Sequence, residues 1–120
     1  MSSKSRQHLK NFLKMKIELL YFADCPNHEP ALAMLQQVVA EEGVQADIQS
    51  IDITSEKMAQ TMRFLGSPSI RINGKDVEGN SMADASYGRK CRIYLDSGKP
   101  SGLPSRETLK KAVVEAKPNA

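Results

Sequence analysis

The chain has 120 residues, of which 40% are hydrophobic and 26% are charged, which suits one compact domain and excludes two of ordinary size. Its longest apolar runs are a few residues, against the roughly 20 that a transmembrane helix needs, so no membrane span is predicted. The formal net charge of +3 originates in residues 1–16, which hold five basic and no acidic side chains, whereas the remainder is slightly acidic. The domain itself therefore lacks the strongly basic composition of a nucleic-acid-binding protein.

The composition of residues 1–14 predicts a flexible basic leader, and the folded domain is expected over residues 15–117. A run of charges with a single aromatic residue favours a solvated extension over an arm that binds nucleic acid. A secretory signal would need a continuous apolar stretch after its positive start, and MSSKSRQHLKNFLK has none. We therefore expect a cytoplasmic protein with neither nucleic acid nor membrane as a partner.

The first half of the domain predicts a strand, a helix and a second strand. The run KIELLYF, from Lys16, is apolar on both faces, which is typical of a strand in a sheet that is covered on two sides. After the turn Ala-Asp-Cys-Pro-Asn-His, apolar residues at three-and-four spacing predict a helix from about His28 to Glu42, which ends at Gly43. Residues 46–52 then predict the second strand.

A short helix and a hairpin are predicted next. Thr54 or Ser55 can cap a helix whose apolar stripe consists of methionines and Leu65, and Gly66 should end it. Residues 69–72 predict a short strand, and Asn73-Gly74 is a strong signal for a two-residue turn that returns the chain as a partner strand over residues 75–78.

The carboxyl-terminal part predicts a loop followed by a helix. Residues 98–104 predict the loop, and Ser105 caps a last helix with apolar residues at helical spacing. The element order is β-α-β-α-β-β-α, which predicts an α/β sandwich around a central mixed sheet.

Three motifs follow one another along the chain, namely Cys25-Pro26-Asn27-His28 between the first strand and helix, Gly-Ser-Pro-Ser-Ile around Pro68, and the hairpin INGKDVEG. In this order they resemble the thioredoxin superfamily. More narrowly, YFADCPNHEPAL, FLGSPSIRINGKDVEG and YGRKCRIY are similar to a small bacterial group of thioredoxin-like proteins. Members of that group are variously labelled thioredoxin-family proteins, alkylmercury lyases or selenoproteins, the last with selenocysteine at the position of Cys25. The resemblance covers roughly residues 15–116 and implies a thioredoxin-like βαβαββα fold with an insertion before the last helix, and no cofactor.

Cys25 is the candidate nucleophile. It should lie at the amino end of the first helix, where unbonded N–H groups and the positive end of the helix dipole stabilise a thiolate. Asp24 beside it opposes that effect. The alternative is a buried structural cysteine, because a free thiol often packs as a small hydrophobic group.

The candidate partner of Cys25 is less well defined. Thioredoxins use Cys-x-x-Cys, whereas His28 holds the place of the second cysteine in this chain. Either Cys25 works with an external thiol, or its partner is Cys91, which lies in a basic run that favours a thiolate and can equally pack as a structural residue. His28 can stabilise the thiolate of Cys25, accept its proton, or be a solvated residue of the first helical turn.

The substrate-binding residues are expected around the proline of the second motif. The resemblance implies a cis bond before Pro68, which would face Cys25, and a backbone at Ser67 that is open to a bound sulfur or peptide. Pro26 and Arg89 complete this expected set.

These residues together favour a thiol oxidoreductase. Cys25 would attack a disulfide or peroxide, and Cys91 or an external thiol would resolve the product, so the expected partner is a protein or small molecule with a thiol or disulfide. One alternative is organomercurial cleavage with Asp24 as proton donor, or soft-metal binding by the thiols. Stable zinc binding is not expected, because four ligands in close-spaced pairs are missing. A further alternative is a non-catalytic thioredoxin-like binding module.

Overall fold

The computed structural model describes residues 14–79 and 86–117 and shows an α/β fold around a four-stranded mixed sheet. The sheet has the order β2-β1-β3-β4, formed by β1 (Met15–Tyr21), β2 (Ala46–Asp52), β3 (Ser69–Ile72) and β4 (Lys75–Asp76). β1 runs parallel to β2 and antiparallel to β3. The α/β class with a mixed sheet, predicted from the element order, is confirmed. The leader predicted for residues 1–14 lies outside the described residues except for Lys14.

Three helices accompany this sheet in the described part of the chain, namely α1 (His28–Glu42), α2 (Glu56–Thr61) and α3 (Arg106–Ala116). Two further strands, β5 (Tyr94–Asp96) and β6 (Lys99–Ser101), form a separate antiparallel hairpin before α3. Within the two described ranges, no helix combines the length and the apolar character needed to cross a bilayer.

β1 is buried on both faces, as its apolar pattern predicts. Ile17 and Leu19 lie in the larger core cluster, which also contains buried residues of α1 and α3. Leu20, on the opposite face, packs in a smaller cluster with Ile53 and Phe64. Because successive side chains of a strand point to opposite faces, β1 joins the two clusters and forms the centre of the fold.

The tight turn at Asn73-Gly74 has positive φ at both residues, 51° and 84°, which is the backbone that a two-residue hairpin turn requires. The returning strand is shorter than the predicted residues 75–78. It ends at Asp76, whose carboxylate accepts the N–H of Glu78 at 3.0 Å and turns the chain. The N–H of Val77 still donates to the carbonyl of Ile70 at 3.0 Å, and the chain turns after it, where the N–H of Gly79 donates to the carbonyl of Asp76 at 2.8 Å.

α2 is also shorter than the sequence predicts. Ser55 caps it by accepting the N–H of Met58 at 3.0 Å, but the helix ends at Thr61 and not at Gly66. Arg63 takes a left-handed backbone with φ 54°, and the guanidinium of Arg71 binds the carbonyls of both Met62 and Arg63 at 2.7 Å. This long-range contact satisfies carbonyls at the end of the helix.

The loop predicted for residues 98–104 is partly wrong, because residues 99–101 form strand β6 against β5. Ser97 and Gly98 both have positive φ, 52° and 81°, as a two-residue hairpin turn requires. The Ser-Gly pair carried this signal, but the strands on either side lack an apolar alternation. The cap at Ser105 is confirmed, since its hydroxyl accepts the N–H of Thr108 at 3.0 Å.

A buried ion pair ties the segment after residue 86 to the sheet. The guanidinium of Arg92 donates to both carboxylate oxygens of Asp76 at 2.6 and 2.7 Å, and to Glu78 at 3.1 Å. It also lies 4.4 Å from the ring centroid of Tyr94. The side chains of Arg92 and Asp76 are 6% and 1% exposed, so both charges have left water and depend on each other.

Substituting Arg92→Met should lower the free energy of unfolding by about 3–5 kcal/mol, because it leaves the carboxylate of Asp76 buried without its partner. Urea unfolding followed by circular dichroism measures the change. The matched control is Arg106→Met, which removes an exposed pair with Glu41 and should cost below about 1 kcal/mol. Similar losses in the two variants would contradict a dominant role for the Arg92 pair.

The burial of the Tyr94 hydroxyl should make the stability of the fold depend on alkaline pH. Its buried hydroxyl donates to the carbonyl of Pro68 at 2.5 Å, and burial raises the pKa of this phenol above its ordinary value, although the charge of Arg92 acts against the shift. A raised folded-state pKa means that Tyr94 stabilises the fold fully below about pH 10 and loses this contribution as the pH rises further. The free energy of unfolding should therefore fall above about pH 10, and Tyr94→Phe should flatten that fall.

Urea titrations at a series of alkaline pH values measure this slope. Tyr21→Phe, at a half-buried tyrosine, is the matched control and should keep the slope of the unmodified chain. Equal slopes in the unmodified protein and Tyr94→Phe would show that another group titrates.

Candidate functional site

Cys25 lies in the turn that leads from β1 into α1. Its backbone N–H donates to the carbonyl of Phe22 at 3.0 Å, which closes the turn. Asn27 is the N-cap residue of α1, and its carbonyl accepts the first helical bond from Ala31 at 3.0 Å. Cys25 thus stands just before the amino end of a 15-residue helix, where the helix dipole favours negative charge.

The side chain of Cys25 is nearly inaccessible, with 3% of the residue exposed, whereas the neighbouring Pro26 is exposed. A reactive cysteine is ordinarily open to solvent at least in part. Pro26 therefore lies at the surface of the expected site, and a substrate that is to reach Cys25 must approach through a narrow opening or after a local movement.

His28 binds the backbone of Cys25. Its ring Nδ1 donates to the carbonyl oxygen of Cys25 at 3.0 Å, and the ring stacks on Tyr21 with centroids 4.3 Å apart and an interplanar angle of 13°. When Nδ1 carries the proton, Nε2 is the nitrogen that can accept one. The observed contacts make His28 a residue that fixes the conformation of the turn around Cys25.

Ser67 and Pro68 immediately precede β3, and the bond between them is cis. In the β1–β3 ladder the last pair joins Leu20 to Ser69, so the chain before β3 and the turn after β1 lie at the same end of the sheet. Ser67 is fully buried, and its hydroxyl is one of two buried side-chain polar groups that find no hydrogen-bond partner among the described residues.

The backbone of Ser67 is not open to a ligand, which corrects the expectation from the resemblance. Its N–H donates to the carbonyl of Lys90 at 2.8 Å, and its carbonyl accepts the N–H of Arg92 at 2.9 Å. Cys91, between these two residues, forms an isolated parallel bridge with Ser67. The chain itself therefore occupies the hydrogen-bonding position that was expected for a substrate.

Cys91 is exposed, and both cysteines are free thiols. The bridge to Ser67 places Cys91 at the end of the sheet where Cys25 lies, although the two are 66 positions apart in sequence. The expectation that the surrounding cations favour a Cys91 thiolate needs one correction. The guanidinium of Arg92 is engaged by Asp76 and Glu78 and is not a free charge beside the sulfur.

Arg89 connects the part of the chain that precedes Cys91 to residues that follow β1 and β2. Its guanidinium lies 5.7 Å from the ring centroid of Phe22, which follows β1, and its Nε donates to the carbonyl of Ile53, which follows β2, at 3.0 Å. The backbone N–H of Arg89 donates to Glu56 at 3.0 Å. These contacts give Arg89 a structural role at the edge of the expected site.

Two features of this site carried no signal in the sequence. Gly102, in the loop after β6, lies so close to Asn27 that a Cβ at this position would overlap the asparagine side chain. The hydroxyl of Tyr94 holds the carbonyl of Pro68. Both contacts join segments that are distant in sequence, so no local sequence pattern could indicate them.

No three histidine, cysteine, aspartate or glutamate residues among positions 14–79 and 86–117 are grouped so that they could hold a metal ion. Comparisons of the chain with known protein families, with curated proteins and with solved structures found no match.

The difference in exposure predicts that the two thiols react in order. A bulky aromatic disulfide reagent should modify Cys91 first and Cys25 in a slower second phase, because the buried thiol reacts only when the surrounding structure opens. The absorbance of the released aromatic thiol measures both phases. Cys91→Ser should abolish the fast phase and Cys25→Ser the slow one. A single phase that accounts for both thiols would contradict this order.

Proposed function

We propose that the chain is a thioredoxin-like thiol oxidoreductase in which Cys25 is the nucleophile. The observation that carries this proposal is the position of Cys25 before the amino end of α1, at the same end of the sheet as the segment that bears Cys91. A helix amino terminus stabilises a thiolate, which is the reactive form of a cysteine.

The architecture supports a thioredoxin-like arrangement. The first two strands are parallel and are connected through α1, and the third and fourth continue the sheet in antiparallel order. α3 packs with α1 against the larger core cluster. The β5–β6 hairpin precedes α3, and an insertion before the last helix is what the resemblance implies.

In the proposed reaction with a disulfide, the thiolate of Cys25 attacks one sulfur. The substrate S–S bond breaks, and one substrate thiolate leaves with the bonding electron pair. A second thiolate then attacks the mixed disulfide and releases the other half of the substrate. With a peroxide, the thiolate of Cys25 attacks one peroxide oxygen, the O–O bond breaks, and an alcohol or water leaves after protonation of the departing oxygen. Cys25 is then a sulfenic acid, from which the second thiol displaces water to form a disulfide.

Cys91 is the residue of this chain best suited to supply the second thiol. It is free and exposed, and its bridge to Ser67 keeps it at the proposed site. When Cys91 does not take part, an external thiol performs the same step and leaves a mixed disulfide on Cys25. Two thiol equivalents then reduce a Cys25–Cys91 disulfide, whereas one further equivalent reduces the mixed disulfide.

The burial of Cys25 supports a second candidate function, that of a non-catalytic thioredoxin-like binding module. A thiol that is 3% exposed can pack as a small hydrophobic group and fill the turn between β1 and α1. In such a binding module, Cys25 would contribute to the stability of the fold, and substitution of Cys25 would leave the binding function intact.

Cys25→Ser should abolish the turnover of a disulfide or peroxide in the presence of glutathione, because the hydroxyl is a far weaker nucleophile than a thiolate. Asp24→Asn is the matched neighbour and should retain the activity or raise it slightly, since it removes a negative charge beside the thiolate. Consumption of NADPH in an assay coupled to glutathione reductase measures both variants.

Two outcomes would contradict the proposal. Activity of Cys25→Ser equal to that of the unmodified chain would favour the binding module. Release of hydrocarbon from an organomercurial that requires Asp24, without turnover of a disulfide or peroxide, would identify a mercurial lyase instead. Circular dichroism of each variant verifies that the fold is retained.

A further inference from the structure

Residues 90–92 form a short extended segment that pairs with the backbone of Ser67. Both backbone groups of Ser67 are engaged, one by the carbonyl of Lys90 and one by the N–H of Arg92, at 2.8 and 2.9 Å. Recognition of an extended peptide by strand addition needs a free N–H and a free carbonyl on the receiving strand. Residues 90–92 therefore occupy the position beside Ser67 that such a peptide would take.

This segment is held at both ends. Toward the carboxyl end, the side chain of Arg92 is bound by Asp76 of the β3–β4 hairpin. Toward the amino end, the N–H of Gly88 donates to the carbonyl of Phe64 at 3.1 Å, and the N–H of Arg89 donates to Glu56. Displacement of the segment would break a buried ion pair together with backbone hydrogen bonds, so the segment stays in place when a substrate arrives.

The burial of Cys25 restricts its substrates further. A polypeptide that approaches a sulfur with 3% exposure brings its own backbone N–H and carbonyl groups out of water, and these groups need partners. The backbone of Ser67, at this end of the sheet, is already engaged. A small disulfide whose sulfurs are flanked by methylene groups brings no such groups to the site.

We infer that the substrates of this site are low-molecular-weight disulfides and that residues 90–92 exclude extended polypeptide disulfides. This inference rests on the proposed function of Cys25. The thiolate of Cys25 attacks one sulfur of the small disulfide, whose S–S bond breaks and releases one substrate thiolate. Cys91 or a small external thiol then releases the second, and small external thiols supply the two electrons that return the protein to its reduced state.

The first experiment compares two substrates of the unmodified protein. One is 2-hydroxyethyl disulfide, and the other is a disulfide that joins two extended peptides, each assayed with glutathione, glutathione reductase and NADPH after subtraction of the uncatalysed rate. We expect kcat/KM for the small disulfide to exceed that for the peptide disulfide at least about a hundredfold, because unpartnered polar groups are strongly discriminated against.

A second experiment weakens the pairing of residues 90–92 with Ser67. A Cβ at Gly66 would lie 3.0 Å from the N, Cα and Cβ atoms of Arg92, so Gly66→Ala forces Arg92 to shift by a few tenths of an ångström and should weaken its hydrogen bond to Ser67. The preference for the small disulfide should then fall about threefold, because a peptide competes more easily with residues 90–92 for the backbone of Ser67. The matched control is Gly43→Ala, which also changes a glycine with positive φ but meets nothing within 4 Å, and should leave the preference unchanged.

The outcomes separate this inference from the proposed function. Similar kcat/KM values for both substrates in the unmodified protein would overturn the inference and leave the function of Cys25 in place. An unchanged preference in folded Gly66→Ala would also overturn it. Absence of any Cys25-dependent turnover of the small disulfide would overturn the function and the inference together. Should Gly66→Ala fail to fold, the comparison of the two substrates in the unmodified protein decides.

Discussion

The contact between Arg92 and Asp76 connects the segment that carries Cys91 to the central sheet. Burial by itself would lower the pKa of Arg92, but hydrogen bonds from its guanidinium to Asp76 and Glu78 outweigh this effect and raise the pKa above its ordinary value. Arg92 therefore remains charged in the interior. Because a buried charge without its partner is strongly unfavourable, this pair fixes how residues 90–94 lie against the β3–β4 hairpin.

The remainder of the site depends on that placement. With Arg92 fixed, its backbone N–H reaches Ser67, Cys91 lies in the bridge, and the hydroxyl of Tyr94 reaches Pro68. The same arrangement engages both backbone groups of Ser67 and places the exposed Cys91 beside it. One buried ion pair thus links the stability of the fold to the placement of Cys91 beside Ser67.

The sequence predicted correctly the elements that depend on local interactions, and it predicted less accurately those that depend on contacts between residues distant in the chain. β1 and α1 were predictable, because their apolar periodicities need only a core to pack against, and the Asn73-Gly74 turn is a local backbone preference. α2 and β4 were predicted too long, because the turns that follow them are set by hydrogen bonds that leave no periodic pattern in the sequence. Arg71 binds the carbonyls after α2, and Asp76 turns the chain after β4.

The sequence by itself determined the α/β class and the position of Cys25 in the turn before α1, since both follow from local periodicity and turn residues. It also marked Cys91 as a candidate, but its basic neighbours suggested a free cationic environment. Only the tertiary structure decided that Arg92 is neutralised by Asp76, that Ser67 pairs with residues 90–92, and that Cys25 is buried. Each of these depends on groups distant along the chain, whose approach is set by the packing of whole elements and leaves no pattern in the local sequence.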